Sequence, residues 1–324
     1  MRKLTHIPQL GWAYKIAGNT ALCYPPYQYT IEITNICNLH CVFCPQADPN
    51  HAAVRPHGSL HLDDLALFLR RVTEARPADR HINFTLDGEP FCSCDFLRCV
   101  DLAVSAGYFP VFATNATQLD RESADRLITG GPFRASIDFA SSRDIFESIR
   151  GRAGDFDLVR RNLLYLMEQA KHHPGIHLDI HDISSFTGTE TRESLRKMRS
   201  LFPGRLPRRV RFAARNFHNF CGHLGRPETG GRYRLCPYPW TQLAVTHTGD
   251  CVACCRDVCG RTVLGNVFRQ SVMDIWNGPK YRELRQNLID RRPDLHAACA
   301  ACDLPYSSGP RWKIPYMARS LLGR

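Results

Sequence analysis

Short strand-like runs alternate with helical stretches along residues 29–215. The runs are rich in β-branched and aromatic residues and are bounded by turn formers: Tyr29–Thr34, His81–Leu86, Phe109–Thr114, Arg134–Phe139, Ile176–Ile183 and Arg209–Ala213. The clearest helical stretches are His61–Ala75, with apolar residues at helical spacing, and Phe156–Ala170, which Asp155 is placed to cap. Six strand–helix units predict an α/β fold whose parallel sheet closes partly or fully into a barrel, with chemistry at the C-terminal ends of the strands.

The pattern changes after Gly230-Gly231. Two apolar runs, Leu243–Thr246 and Cys251–Cys254, flank a turn-forming segment and predict a hairpin. A helix around Ser271–Arg291 and a cysteine pair follow. We therefore predict an N-terminal extension (1–28), a core domain (29–215), a small second domain (232–305) and a tail (306–324).

Cysteine is unusually frequent, with 15 residues in 324. The chain has no run of about 18 apolar residues that would cross a membrane. It also has no apolar stretch behind the charged N-terminus to serve as a signal peptide, so we expect a cytoplasmic protein. Because a reducing cytosol does not hold disulfides, metal binding or thiol chemistry explains the cysteines better.

The formal net charge is +11. A basic surface is either simply solvated, or attracts an anionic substrate such as a phosphorylated sugar, or docks an acidic electron carrier. The basic residues are scattered except for one local run: Arg205, Arg208, Arg209, Arg211 and Arg215. No aromatic-interleaved motif accompanies that run, so nucleic acid is not an expected partner.

The first cysteine constellation is Cys37, Cys41 and Cys44, directly after the first predicted strand. Three thiolates at these spacings can ligate three irons of a cubane, which leaves the fourth iron open. An open position is what a catalytic metal needs. The alternative is a zinc site or a set of core cysteines.

This segment resembles the SAM-binding loop of the radical S-adenosylmethionine (SAM) superfamily. The resemblance implies that the three cysteines hold a [4Fe–4S] cluster, that SAM chelates the open iron, and that Phe43 lies beside the adenine. It also identifies residues 29–215 as a radical SAM core domain.

Further motifs follow in the superfamily's order. Asp87-Gly88-Glu89-Pro90 resembles the "GGE" element, with Asp87 in place of its first glycine, and implies that Gly88 and Glu89 contact the methionine amino group. Thr114-Asn115 resembles the ribose-contacting pair, and Ser136, two residues before Asp138, resembles a SAM-contacting serine. Arg150 resembles an arginine that binds the SAM carboxylate.

The second constellation is Cys236, Cys254, Cys299 and Cys302. Four thiolates can fill every iron of a cluster, or bind zinc. The pattern, which includes Gly249, resembles the auxiliary-cluster region of the SPASM and twitch families. Because no cysteine follows Cys302, the resemblance implies the shorter twitch type with one auxiliary [4Fe–4S] cluster.

Eight cysteines remain, and most are interpreted as small hydrophobic fillers: Cys23, Cys92, Cys94, Cys99, Cys221, Cys251, Cys255 and Cys259. Cys255 and Cys251 are the exceptions, because they lie near a cluster ligand in the sequence. A thiol there can give a hydrogen atom to a substrate radical.

The resemblance implies an enzyme that cleaves SAM reductively to a 5′-deoxyadenosyl radical, with flavodoxin or ferredoxin as reductant. The radical then takes hydrogen from a small, carbohydrate-like substrate, and the outcome is oxidation or epimerisation. Two alternatives stay open. One is a peptide-modifying maturase, although the residues before Cys37 are too few for a leader-binding domain. The other is a non-enzymatic zinc or Fe–S protein that binds nucleic acid.

Overall fold

The computed structural model describes residues 19–224 and 232–306. Its strands are β1 Gln28–Ile31, β2 His81–Asn83, β3 Phe109–Thr114, β4 Phe133–Phe139, β5 Ile176–Asp182, β6 Val210–Ala214, β7 Gln242–Val245, β8 Asp250–Val252 and β9 Val263–Asn266. Its α-helices are α1 His51–Val54, α2 Leu62–Glu74, α3 Phe96–Ser105, α4 Arg121–Gly130, α5 Arg143–Arg150, α6 Phe156–His172, α7 Thr191–Ser200, α8 Tyr238–Thr241, α9 Val272–Trp276 and α10 Pro279–Ile289. These elements fall into two compact units.

One unit comprises Glu32–Leu62 and Ile82–Phe217, and we call it the core unit. Its strands lie in the order β6-β5-β4-β3-β2. The β3–β4, β4–β5 and β5–β6 pairs are all parallel. The α/β prediction with a parallel sheet is therefore confirmed, and helices connect the strands as parallel pairing requires.

Alternation along β4 and β5 separates an apolar face from a polar one. Phe133, Ala135, Ile137 and Phe139 are buried, and the residues between them are half-buried. β5 repeats the pattern in register, so that Ser136 pairs with Asp179 and Asp138 with His181. The buried face packs on helices such as α6, whose predicted cap is present because the Asp155 side chain accepts a hydrogen bond from the Leu158 N–H. The polar face carries the side chains available for chemistry.

The other unit comprises the described residues of Met1–Ile31, Asp63–His81 and His218–Arg324, and we call it the cysteine-rich unit. Here β1 pairs in parallel with β7, and β7-β8-β9 form an antiparallel meander. The predicted hairpin is present as β7 and β8. A buried arginine, Arg285, ties α10 to this unit by donating to the carbonyls of Thr20, Pro239 and Trp276 at 2.7–2.8 Å.

The prediction of a single helix over Ser271–Arg291 is wrong, because the structure has two helices there, α9 and α10. Gly278 caps the second helix with extended backbone, and Pro279 opens it. Proline lacks the N–H that a continuous helix would need and fits the first position of a new one. Asn277, between the two helices, is fixed by its side chain. Its Oδ1 accepts from the Leu22 N–H at 2.8 Å, and its Nδ2 donates to the Leu22 carbonyl at 2.9 Å.

Two predicted strands are also shorter than expected. β1 ends at Ile31 rather than Thr34, and β2 ends at Asn83 rather than Leu86. The Asn83 side chain bonds the N–H and carbonyl of Thr85, so a local turn replaces the strand ladder there. The other four strands start and end within one residue of their predicted positions.

Candidate active site and second cysteine centre

The three cysteines of the first constellation lie together in the loop that follows β1. The Cys44 N–H donates to the Cys41 carbonyl at 2.8 Å, and the Val42 N–H donates to the carbonyl of Ile149 at 3.0 Å. The Leu39 N–H points at the Cys37 sulfur, 3.5 Å away. This donor set of three neighbouring thiols fits a cubane cluster with one iron left open.

The electrostatics around these thiols depend on burial and one cation. Burial raises the pKa of the Cys37 thiol to about 12, with a smaller contribution from Glu89. Burial also raises the pKa of Cys41, but Arg150 opposes this shift. The Arg150 Nη1 lies 3.7 Å from the Cys41 sulfur, at the end of α5. Because a metal binds thiolates, cluster assembly here must displace these protons.

Arg150 also belongs to a polar cluster on the polar face of β4 and β5. Its Nη2 lies 3.3 Å from Asp138, which has Arg215 at 3.3 Å and His181 at 3.8 Å as further partners. Burial lowers the pKa of His181, so the imidazole is neutral at neutral pH. Ser136 lies on the same face, two residues before Asp138. We call Asp138, Arg150, His181 and Arg215 the polar cluster.

The backbone around position 88 leaves room only for glycine. Its φ is +69°, and an added Cβ would lie 2.5 Å from the Thr34 carbonyl oxygen and 2.7 Å from that of Ile36. The next residue donates its N–H to the same Ile36 carbonyl at 2.8 Å. The turn after β2 thus lies directly on the backbone that leads into Cys37.

Glu89 is a buried carboxylate that organises the end of β3. Its Oε1 accepts from the Thr114 hydroxyl at 2.6 Å and from the Phe91 N–H at 3.3 Å. Its Oε2 accepts from the Asn115 N–H at 2.6 Å. A carboxylate accepts about four hydrogen bonds. One acceptor position on Oε2 is therefore left over for a ligand.

Phe43 packs in an aromatic trio. Its ring centroid lies 5.6 Å from that of Phe186 and 5.2 Å from that of Phe217. Phe186 is among the exposed large hydrophobic residues, whereas Phe43 is buried. The predicted adenine contact stays a prediction, and the trio gives it an apolar surface made of three mutually tilted rings.

Asp87 has a role that the sequence reasoning missed. Its Oδ1 accepts from the Gln46 side chain and from the Gly88 N–H, both at 2.9 Å. Its Oδ2 lies 2.7 Å from the His51 Nε2 and 3.7 Å from Arg55. Asp87 therefore ties the segment after Cys44 to the Gly88 turn. The sequence did contain a hint of this role. His51 and Arg55 are four residues apart, so they can lie on one side of a helix and share an acidic partner.

The second constellation lies in the cysteine-rich unit and lines one cavity. Cys236, Cys254, Cys299 and Cys302 all contribute to its wall, together with apolar residues such as Pro239 and Leu288. Four thiols in an apolar cavity fit a fully ligated cluster. Cys221 lines the same cavity, although sequence reasoning grouped it with the fillers.

The two candidate catalytic thiols differ in exposure. Cys251, on β8, is fully buried, and its sulfur points at the Gly249 carbonyl. Cys255 is partly buried, and burial raises the pKa of its thiol to about 12. Neither residue is among those that line the cavity of the second constellation.

Three of the five arginines in the basic run that the sequence singled out have partners within the core unit. Arg209 donates to the Ala170 carbonyl at 2.6 Å, Arg211 donates to Asp179 at 2.9 Å, and Arg215 pairs with Asp138. These three cations thus have partners in their own unit.

Comparison with known families decides the assignment. The sequence model of the radical SAM superfamily matches residues 31–200. The chain belongs to the radical SAM superfamily. The model of the SPASM iron–sulfur cluster-binding domain matches residues 236–303 of this radical SAM enzyme. The predicted cofactors are therefore confirmed as a class: a SAM-binding [4Fe–4S] cluster, SAM itself and an auxiliary Fe–S cluster. The alternative of a non-enzymatic nucleic-acid-binding protein receives no support.

Two curated relatives come from Methanosarcina barkeri (strain Fusaro / DSM 804). The AdoMet-dependent heme synthase is 28% identical over 138 residues, which are 42% of this chain and 38% of that protein. The Fe-coproporphyrin III synthase is 29% identical over 142 residues, 43% of this chain and 33% of that protein. The similarity thus spans well under half of either relative.

Solved structures share the fold over more of the chain. BtrN in complex with AdoMet and 2-DOIA matches with a TM-score of 0.54 at 15% identity, covering 87% of this chain and 94% of that one. AnSMEcpe with bound AdoMet matches with a TM-score of 0.57 at 15% identity, covering 85% and 88%. SuiB of Streptococcus suis bound to precursor peptide SuiA matches with a TM-score of 0.53 at 16% identity, covering 84% and 69%. At these identities the likeness concerns the fold. Among the described residues, no helix has the length and apolar character needed to cross a bilayer.

Proposed function

We propose that this radical SAM enzyme oxidises a small, carbohydrate-like substrate and passes the released electron to its auxiliary cluster. Cys37, Cys41 and Cys44 would hold the SAM-binding cluster, and Cys236, Cys254, Cys299 and Cys302 the auxiliary one. When bound, the first cluster supplies the electron that splits SAM to a 5′-deoxyadenosyl radical, and the second accepts the electron that substrate oxidation releases. Flavodoxin or ferredoxin is the proposed reductant.

The observation that carries this proposal is the cavity lined by the four cysteines of the second constellation. Four thiolates leave no iron open for a substrate or for SAM. A fully ligated cluster therefore serves electron transfer rather than binding. A cluster that accepts an electron from the substrate is needed when the product is more oxidised than the substrate.

In the core unit, the chain's own residues would orient SAM and exclude water. Arg150 is the buried cation beside Cys41, and it is the proposed partner for the SAM carboxylate. Glu89 holds Thr114 and Asn115 and keeps one acceptor position for the SAM amino group. Gly88 and Ser136 complete the proposed contacts with SAM, and Phe43 offers its ring to the adenine.

The polar cluster favours a hydroxylated substrate. Asp138 accepts hydrogen bonds, and Arg215 donates them. In the dehydrogenation of an alcohol, the substrate loses one hydrogen atom to the radical, one electron to the auxiliary centre and one proton to a base. His181, neutral because burial lowers its pKa, is available as that base.

Anaerobic turnover with a substrate panel tests the proposal. Sugars, aminocyclitols and sugar phosphates form one set, and a peptide and a porphyrin represent the compound classes named for similar proteins. We expect 5′-deoxyadenosine together with a product two hydrogens lighter, from the first set. Cys299→Ala should still cleave SAM but lose the oxidised product. Cys94→Ala, at an exposed cysteine, is the matched control. Turnover of the peptide or the porphyrin alone would overturn the substrate class.

Epimerisation is the second candidate, and the partial exposure of Cys255 favours it. A thiol at this position would return a hydrogen atom to the substrate radical. The thiyl radical left behind would take one electron from the flavodoxin or ferredoxin, through the auxiliary cluster, and one proton from solvent. Cys251, being fully buried, is the weaker donor of the two. Turnover in deuterated water separates the candidates. Epimerisation places solvent deuterium on the reacting carbon, and Cys255→Ala abolishes this, whereas dehydrogenation leaves no deuterium there.

A further inference from the structure

We propose that Cys221 is a fifth thiol of the auxiliary centre, which binds no iron but donates its S–H to the sulfurs of Cys254 and Cys302. In this role it sets the reduction potential of the auxiliary cluster. The inference rests on the proposed function, because it takes Cys236, Cys254, Cys299 and Cys302 as the four ligands.

The first support is position. Cys221 precedes all four proposed ligands in sequence, and it is buried and lines the same cavity. The side chains of Cys254 and Cys302 are its neighbours there. Cys259, a buried cysteine of the same unit, is not among the residues that line this cavity. Burial of a cysteine in this unit therefore does not by itself place it at the centre.

The second support is the backbone that carries the thiol. Phe220, Cys221 and Gly222 have φ values of +46°, +58° and +88°. Two consecutive non-glycine residues in the left-handed region cost free energy, and such strain persists only where surrounding contacts enforce it. An added Cβ on Gly222 would lie 2.4 Å from the Cβ of Ala301, so this loop lies directly on the Cys299–Cys302 turn.

The third support is the set of hydrogen bonds that fix the loop. The Asn219 Nδ2 donates to the Ala301 carbonyl at 2.8 Å. The Asn219 N–H donates to Asp303 at 3.1 Å, and the Asp303 N–H donates back to Asn219 at 3.2 Å. Arg261 donates to the Cys221 carbonyl at 3.2 Å. A loop held on both sides of its cysteine keeps the thiol at a fixed position, which suits a hydrogen-bond donor better than an exchangeable ligand.

The chemical consequence concerns the redox balance of the cluster. A cubane has four irons, and four thiolates complete their coordination, so a fifth thiol has no iron to bind. Hydrogen bonds to the cluster sulfurs favour the reduced form, because reduction adds negative charge. Cys221 would therefore raise the potential and make the auxiliary cluster a better electron acceptor.

Redox titration of the reconstituted full chain tests this role. The auxiliary signal is followed by electron paramagnetic resonance for wild type, Cys221→Ala and Cys221→Ser, with iron counted for each. We expect unchanged iron in both variants. We also expect about a tenfold lower ratio of reduced to oxidised auxiliary cluster in Cys221→Ala, or about 59 mV for one electron. Cys221→Ser keeps a donor and should restore most of the potential, and Cys259→Ala should leave it unchanged.

Each other outcome overturns the inference in its own way. An unchanged potential in Cys221→Ala would make Cys221 a filler. A loss of auxiliary iron in Cys221→Ala would make it a ligand. If Cys299→Ala retains the full auxiliary cluster, the ligand set is wrong and the proposed function fails separately from the role of Cys221.

Discussion

At the scale of single residues, the core unit contains two neighbouring residues whose surroundings leave no space for another side chain. Gly88 lies between backbone carbonyls, and Glu89 accepts hydrogen bonds from three neighbours. Both belong to the turn that follows β2, and this turn contacts the backbone leading to Cys37. Substitutions here are therefore expected to act on the cluster loop through the backbone, as well as on any SAM contact.

Gly88→Ala is predicted to be far more disruptive than Gly107→Ala. Both glycines have positive φ, +69° and +78°, but an added Cβ at Gly107 meets nothing within 4 Å. Gly107→Ala should cost only the left-handed strain, about 1 kcal/mol. Gly88→Ala adds overlap with two carbonyls, which we expect to cost about 1–3 kcal/mol more. Denaturant unfolding measures the difference, and equal costs would contradict the crowding argument.

Glu89→Gln is predicted to destabilise the protein by about 1–3 kcal/mol, because an amide N–H₂ would replace one oxygen that now accepts buried hydrogen bonds. Whichever way the amide is turned, its NH₂ group would face a present donor, either the Thr114 hydroxyl or the Asn115 N–H. Urea titration checks this. Glu147→Gln, which removes an exposed ion pair with Arg143, serves as the control and should change stability by less than about 1 kcal/mol. A cost at Glu89 no larger than that of the control would show that its bonds contribute little.

At the scale of elements, the short helix α1 depends on contacts outside itself. A helix of four residues is not stable in isolation. Asp87 holds His51 within α1 and Gln46 before it, and Arg55, just after it, makes two bonds with the buried Glu32 at 2.7 and 2.8 Å. The segment after Cys44 thus owes its order to acidic partners on neighbouring loops.

Asp87→Gly is predicted to loosen this segment, although glycine is the residue that the "GGE" element has there. The change removes the acceptor of Gln46 and His51, so amide exchange over residues 45–55 should accelerate at least about tenfold, or about 1.4 kcal/mol. Hydrogen exchange read by mass spectrometry measures this. Asp87→Asn keeps an acceptor oxygen for Gln46 and should have a smaller effect. Unchanged protection in Asp87→Gly would show that the loop is ordered without Asp87.

Particular elements show how far the sequence alone could lead. β3 has its predicted bounds, because its β-branched and aromatic residues lie between clear turn formers. The three cysteines after β1 come together as their spacing predicted. Asp87 and Cys221 were missed, because their roles come from partners distant in sequence, such as His51 and Cys302. The break between α9 and α10 was readable at Gly278-Pro279, yet apolar periodicity on both sides concealed it.

At the scale of the whole molecule, the two cysteine centres belong to different units. The first constellation lies within Glu32–Leu62, and the second within the part of the other unit that follows His218. None of the proposed ligands of one cluster is shared with the other. Loss of one cluster should therefore leave the other assembled.

Replacing Cys37, Cys41 and Cys44 together with Ala should halve the iron content. We expect about eight irons in the reconstituted wild type, as two cubanes hold, and about four in the variant. SAM cleavage should be abolished. Iron assay, together with liquid chromatography for 5′-deoxyadenosine, measures both. Surviving cleavage would refute the active-site assignment, and complete loss of iron would mean that the second centre does not assemble on its own.

The pairing of β1 with β7 has a consequence for biosynthesis. Gln28 is opposite Gln242, and Ile31 is opposite Val245. During translation, about two hundred further residues must therefore be synthesised after β1 before β7 leaves the ribosome. During that interval its hydrogen-bonding edge has no β7 to cover it, and such edges recruit foreign strands. A fragment that stops before residue 242 would keep this edge permanently, and we expect it to collect in inclusion bodies while the complete chain stays in the supernatant.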